Sequence, residues 1–392
     1  MAMNLAPVAM QLVPQQLVPL ESTLDLLLRG LSHVAWQGVV MMVVGGILIA
    51  LAVVKEYEPL LLLPIGAGCL LTNLPLSPLV GEEGMFSVLR HAGVDNELFP
   101  LLIFIGIGAM TDFGPLLENP KMVLLGAAGQ FGIFLTLLLA VVVFGFTREQ
   151  SASIGIIGAI DGPTSIYVSR KLAPELLAPI TVAAYSYMSL VPIIMPPIMR
   201  ALTTQKERSI VMPYSSRTIS RRTRILFPVV VTVVVGILVP FATPLIGMLM
   251  FGNLMRESGV VERLVGTSSN ELANIVTLFL GLAIGSTMVG SSFLKWSTLM
   301  ILVLGLLAFC VDTAAGVLFG KLLNVLSGGR FNPLIGAAGI SAFPMAARVV
   351  QKEASRENFE NFILMHAMGA NAAGQVASCV AGGVLLALMG TA

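Results

Sequence analysis

The sequence predicts an all-α polytopic membrane protein: two inverted repeats of about five transmembrane helices each, with a broken or re-entrant helical segment in each half. Three observations predict it. The 392 residues are 56% hydrophobic and only 11% charged, with a mean hydropathy of +0.92, whereas soluble domains carry about 25% charged residues. Apolar runs of crossing length recur along the chain. Two Gly-rich stretches interrupt that pattern: residues 155–167, GIIGAIDGPTSIY, and residues 332–348, NPLIGAAGISAFPMAAR. Gly-Pro and Asn-Pro disrupt helix geometry. Asp161 and Arg348 are costly at membrane depth unless paired or facing a cavity. Broken backbone survives there only when buried in protein or lining water.

The elements follow in order. Residues 1–32 are mixed and Pro-containing and read as an N-terminal surface segment or amphipathic helix. The first transmembrane repeat occupies 33–199. Its crossings are expected at 34–54, from Glu58-Pro59 to about Asn73, at 101–110, at 122–146 and at 181–199. The loop at 76–98 is acidic. The broken stretch around Asp161 is too short for a full span. A basic linker at 200–224 holds seven Lys and Arg against one acid, Glu207. The second repeat, 225–392, follows the same plan, with crossings expected at 225–241, 244–255, 275–288, 298–319 and 362–389.

The repetition shows in spacing. Gly106-Ile-Gly108 returns as Ala283-Ile-Gly285 after 177 residues, and Ile157-Gly158-Ala159 as Ile335-Gly336-Ala337 after 178. Five crossings per half would invert the second half. With the 200–224 linker cytoplasmic, all but six of the 22 Lys and Arg fall on the inner side, as positive-inside counting requires. The first broken stretch then enters from outside, the second from inside, and their tips meet near the midplane. Interrupted helices at the midplane of inverted repeats are a transporter plan.

Composition excludes several classes. A net charge of +1 offers nothing for nucleic acid. No phosphate loop and no His/Cys metal spacing are present, and Cys69, Cys310 and Cys379 read as packing residues. No lysine stands in a biotin-attachment setting, so any biotin belongs to another chain. No cleavable signal peptide is read at the start.

The polar residues of the broken stretches carry the chemistry. Asp161, beside Gly162-Pro163 and followed by Thr164 and Ser165, suits a hard cation such as Na+ or a proton relay, or else a cap on a broken helix. Asn332, Gly336 and Ser341 offer an amide oxygen, a close backbone approach and a hydroxyl from the opposed stretch. A turn-capping Asn with helix-packing Gly and Ser fits the pattern equally. Arg348 suits a carboxylate, through its forked guanidinium, or a cytoplasmic anchor. Tyr187 is a phenol in need of a partner, able to pass a proton or coordinate an ion, and an interfacial aromatic fits the pattern equally. Asp312 is a second intramembrane acid, read first as a hydrogen bond to a neighbouring helix. His366 reads as packing.

At these residues the chain resembles the beta subunits of the sodium-pumping, biotin-dependent decarboxylases of oxaloacetate, methylmalonyl-CoA and glutaconyl-CoA. The resemblance is carried by EPLLLLPIG (58–66), GAMTDFGPLLENP (108–120), GIIGAIDGPTSIYVSRKLAPELL (155–177), VAAYSYMSLVPIIMPPIMRALTT (182–204), GNLMRESGVVERL (252–264), NPLIGAAGISAFPMAARV (332–349) and MHAMGANAAG (365–374). It implies decarboxylation of carboxybiotin on a partner subunit, coupled to Na+ export and uptake of a proton. It implies a carboxyltransferase alpha subunit, a biotin carrier protein and a small membrane gamma or delta subunit as partners. A homo-oligomer in the lipid of the bacterial inner (cytoplasmic) membrane follows from the same likeness. Asp161, Tyr187 and Arg348 match its catalytic set, with Arg348 on carboxybiotin. Asp161, Asn332, Gly336 and Ser341 match its Na+ set. Asp312 stands where that family is expected to have a neutral residue. The short loop between the second and third crossings is similar to the acyl-CoA-type members. The rival reading is a stand-alone Na+/H+-type secondary transporter with inverted repeats.

Overall fold

Leu, Ile, Val, Ala and Gly dominate the runs between polar loops, and such runs satisfy their backbone in apolar surroundings only as helix. The computed structural model describes residues 28–213 and 219–390, and no strand occurs among them. Residues 1–27 of the expected N-terminal segment and Arg217 of the linker lie outside the described residues.

The first half runs α1 (Trp36–Val54), α2 (Pro59–Thr72), α3 (Leu98–Met110) and α4 (Met122–Val142). Then come α5 (Arg148–Gly155), α6 (Gly162–Leu172) and α7 (Leu177–Leu202). The second half runs α8 (Arg221–Leu238), α9 (Thr243–Ser258), α10 (Ala273–Thr287) and α11 (Trp296–Leu326). It ends with α12 (Met345–Glu357) and α13 (Leu364–Leu388). A short helix precedes the fourth long element of each half, Gly114–Glu118 before α4 and Gly290–Phe293 before α11.

Among the described residues, five helices are long and apolar enough to cross a membrane: Trp36–Val54, Met122–Val142, Pro174–Leu202, Trp296–Leu326 and Leu364–Leu388. The other five expected crossings, α2, α3, α8, α9 and α10, are helices of 13 to 18 residues. At 1.5 Å per residue a 13-residue helix covers about 20 Å, short of the ~30 Å hydrocarbon core. Of the ten stretches expected to cross, five are thus helices of full crossing length among the described residues, or six if Met85–Val94 and α3 form one span bent by 61°. Polar, bulged turns at Arg90–Val94 and Ser268–Leu272 set where α3 and α10 begin to be apolar.

The short helices pack across the two halves, α2 against α10 and α9 against α3. Small residues allow it. A Cβ on Gly285 would stand 2.9 Å from Gly68 Cα, and one on Gly108 would collide with the Leu249 carbonyl of α9. The large core cluster is built around the two broken segments, where Ile154, Ile156, Ile160, Leu334, Ile335 and Ile340 have no exposed surface.

Ion pairs gather at the two ends of α3. Before it, Asp95 pairs with Arg90, His91 and Arg170, and Glu97 with Lys171 at 3.1 Å. Beyond it, Asp112 pairs with Arg256. Arg224–Glu257, Arg200–Glu353 and Arg208–Glu357, each at 2.7 Å, and Lys321–Glu207 at 3.3 Å complete that second, basic group. No ion pair joins the groups among the described residues. Pairs with a solvent-exposed partner, such as Arg90 or His91 with Asp95, add little stability; together the pairs mark the two ends of the molecule. The strongest geometry is at Glu353, whose two oxygens take Arg200 Nε at 2.7 Å and Nη2 at 2.8 Å. Burial raises its pKa, but Arg200 and Arg356 outweigh burial and hold it below the usual carboxylate value.

Candidate functional site

Each broken segment begins and ends at one end of the molecule. At the first, Thr147 caps α5 with Gln150 in a capping box. Gln150 Nε2 donates to Glu175 Oε1 at 3.0 Å, just past α6. Arg170 and Lys171, closing α6, pair with Asp95 and Glu97. At the second, Asn332 Nδ2 donates to the Arg208 and Ile210 carbonyls, both at 3.0 Å. Past α12, Asn361 Nδ2 reaches that same Arg208 carbonyl, and Arg208 pairs with Glu357. The two segments therefore enter from opposite ends.

The first tip forms because α5 tightens into a 3₁₀ turn, Ile156–Ala159, and Ile160 turns left-handed at φ 52°. That strain is uncommon for a β-branched residue. Asp161 follows in extended conformation and Gly162-Pro163 restarts the helix. Asp161 is 3% exposed. Its Oδ2 accepts Thr164 Oγ1 at 2.6 Å and Ser378 Oγ of α13 at 3.1 Å. Ser165 Oγ donates to its carbonyl at 2.9 Å. No cation pairs with it among the described residues.

The second tip meets the first directly: Ser341 N–H donates to the Ala159 carbonyl at 3.1 Å. Ser341 Oγ donates to Gly374 O at 2.8 Å, and Gln375 Nε2 donates to Ser341 O. Asn371 Nδ2 donates to Ile340 O at 2.7 Å. One face of α13 thus touches both tips, Gln375 at Ser341 and Ser378 at Asp161. Two amide oxygens on that face, Asn371 Oδ1 and Gln375 Oε1, are buried with no hydrogen-bond donor among the described residues. Buried acceptors without donors are rare and call for a reason.

The structure brings Asp161 and Ser341 into one cluster. It does not bring Asn332 there. Asn332 is fully buried at the basic end, its Oδ1 accepting Leu334 N–H. The 3₁₀ helix Pro333–Gly339 separates it from Ser341, roughly 14 Å at 2 Å per residue. Gly336 lies within that helix, pressed against Gly316 of α11 so closely that a Cβ would strike the Gly316 carbonyl. Tyr187 turns to α11 and donates to Leu302 O. Arg348 is exposed on α12 and makes no ion pair among the described residues. Asp312 is fully buried and ties α11 to α4 by accepting Gly132 N–H, while its Oδ2 rests against the Gly158 position of the first segment.

Four residues near the site were missed: Asn371, Gln375 and Ser378 on α13, and Tyr185 on α7. The ring of Tyr185 lies on Gly162, and its buried hydroxyl has no partner among the described residues. Tyr185 and Tyr187 differ by about 200° around the helix, so only one can face Asp161. A signal was present: polar residues at 371, 375 and 378 share a face at i, i+4, i+7 in an otherwise apolar helix.

Comparison with known proteins decides the family. The profile of the Na+-transporting oxaloacetate decarboxylase beta subunit matches residues 37–389. The chain belongs to this family. Among its relatives, methylmalonyl-CoA decarboxylase subunit beta of Veillonella parvula is 55% identical over 89% of this chain and 92% of its own. The oxaloacetate decarboxylase beta chain of Klebsiella pneumoniae is 49% identical over 91% and 96%. Glutaconyl-CoA decarboxylase subunit beta of Acidaminococcus fermentans is 51% identical over 92% and 96%. Kinship to subunits of decarboxylase assemblies does not favour the stand-alone transporter. A beta subunit of this family with five apolar helices is a multi-pass membrane protein.

Proposed function

We propose that this beta subunit removes CO2 from carboxybiotin carried by a partner and exports Na+, taking up a proton. The observation that carries the reading is the joined cluster of Asp161, Ser341 and α13. A carboxylate held by two hydroxyls lies beside two amide oxygens, and among the described residues no donor meets those oxygens and no cation pairs with the carboxylate. Oxygen-rich, singly negative surroundings suit one monovalent hard cation. Asp161, Ser341, Ser378, Asn371 and Gln375 form the ion site. Asn332 and Gly336, expected as ligands, act instead by holding the second tip in place.

Decarboxylation breaks the N–CO2⁻ bond and leaves the electron pair on the ureido nitrogen, which must gain a proton. Arg348, exposed in the first turn of α12 with no ion pair among the described residues, steers the carboxylate of the carrier-borne group. Asp161 relays the proton, with the Tyr185 ring packed on Gly162 beside it; Tyr187, expected in that relay, turns to the Leu302 carbonyl instead. Na+ beside Asp161 disfavours its protonated form, so ion occupancy and proton delivery are linked. The two halves are inverted repeats. The broken segments, entering from opposite faces, move at their Gly-rich tips while the short helices packed across the two halves stay fixed. The complex comprises a carboxyltransferase alpha subunit, a biotin carrier protein and a small gamma or delta subunit, with biotin on the carrier, in the bacterial inner membrane. Asp161→Asn in the purified complex should abolish Na+-dependent decarboxylation of free carboxybiotin. Retained activity with unchanged Na+ dependence would sink the reading.

A further inference from the structure

At the basic end of the molecule a cleft of about 790 Å³ opens between the turn before α4, residues 212–213 of the linker, the end of α11 and the start of α13. Its size falls in the range of small-molecule sites. Two cations, Lys121 and Arg330, line it. Both are exposed, and neither is in an ion pair among the described residues, unlike Arg200, Arg208 and Arg224 at the same end. One acid, Glu118, shares the wall beside His366. Leu124, Phe331 and Met365 supply its apolar lining. A cleft with two cations that make no ion pair among the described residues, beside apolar side chains, fits a compact ring system with one anionic group and an apolar edge.

The cleft is mechanically close to the tips. Helix α4 starts at its edge, and its Gly126 and Gly129 lie against Ala373 of α13 and Gly339 of the second broken segment. Helix α13 also starts there and reaches Ser378 twelve residues past His366, about 18 Å. Arg348 is not on the wall.

We infer that this cleft is the docking subsite for the carboxylated ureido ring of biotin. Lys121 and Arg330 hold the carbamate, and Leu124, Phe331 and Met365 cover the ring. The inference rests on the decarboxylase reading above and deepens it by naming where the substrate group sits.

The test uses the intact complex at saturating Na+, with free carboxybiotin as the probe. Lys121→Gln and Arg330→Gln should each raise KM about tenfold or more, as loss of a charge-assisted contact does, with kcat within about twofold. Arg330→Glu should raise KM further, and Lys121→Arg should restore it. Lys295→Gln, at the far end of α11, serves as the control and should leave both constants alone. An unmoved KM in the double Gln variant overturns the cleft while leaving the decarboxylase reading intact. A wild-type complex with no Na+-dependent decarboxylation of carboxybiotin overturns the reading itself.

Discussion

Ser378 shows what one hydroxyl does at the centre of this protein. It donates at 3.1 Å to Asp161 Oδ2 and at 2.9 Å to Gln375 O, so it ties the carboxylate to the helix that also holds Ser341. Hydrogen bonds to charged groups contribute about 1.5–3 kcal/mol. Ser378→Ala should therefore raise the Na+ concentration for half-maximal decarboxylation by roughly tenfold or more, without loss of assembly. A Na+ titration that superimposes on the wild type would remove Ser378 from the site. Asp312 shows the other use of a buried acid. It answers the N–H of Gly132, just past the break between Met122–Ala128 and Phe131–Val142 in α4, and so locks α4 to α11.

At the scale of elements, the breaks work because glycine lets backbones touch. Gly336 and Gly316 face one another with no room for a Cβ on either. The 3₁₀ helix of the second segment is thereby pressed onto α11. Gly336→Ala should force that contact apart and lower stability by about 1–3 kcal/mol, read as an earlier thermal unfolding transition in detergent. Gly247→Ala in α9, where a Cβ meets open space, should leave the transition unchanged or raise it slightly. Equal behaviour of the two variants would mean the close approach does not matter. Both broken segments were legible, at Gly162-Pro163 and Asn332-Pro333, although Asn-Pro marks the entrance of the second segment and not its tip. Which polar residues line them was not, because Asn332 spends its amide on the Arg208 and Ile210 carbonyls, and pattern does not tell an ion ligand from a cap.

For the whole molecule, the two charge groups define its ends. Gln150, Glu175 and Arg170 lie at one, Arg200, Arg208 and Glu353 at the other. With the basic end cytoplasmic, a thiol at Glu175→Cys should react with a membrane-impermeant reagent from outside intact cells. A thiol at Gln205→Cys should react only after lysis. The reverse pattern would invert the orientation and place the docking cleft on the wrong side for a cytoplasmic carrier.

The sequence by itself determined the class, the helical content, the two broken stretches and Asp161 as the acid at their centre. Apolar composition admits little but helix in lipid, and an acid beside Gly-Pro has few structural uses there. Only the tertiary structure decided the partners. Burial and packing, not spacing, joined Ser341 to Ala159, brought Ser378, Gln375 and Asn371 of α13 onto the tips, turned Tyr185 rather than Tyr187 toward Asp161, and sent Asn332 to the Arg208 and Ile210 carbonyls at the basic end. Side chains hundreds of residues apart meet through helix rotation and glycine-to-backbone contact, and neither quantity is written in the local order of residues.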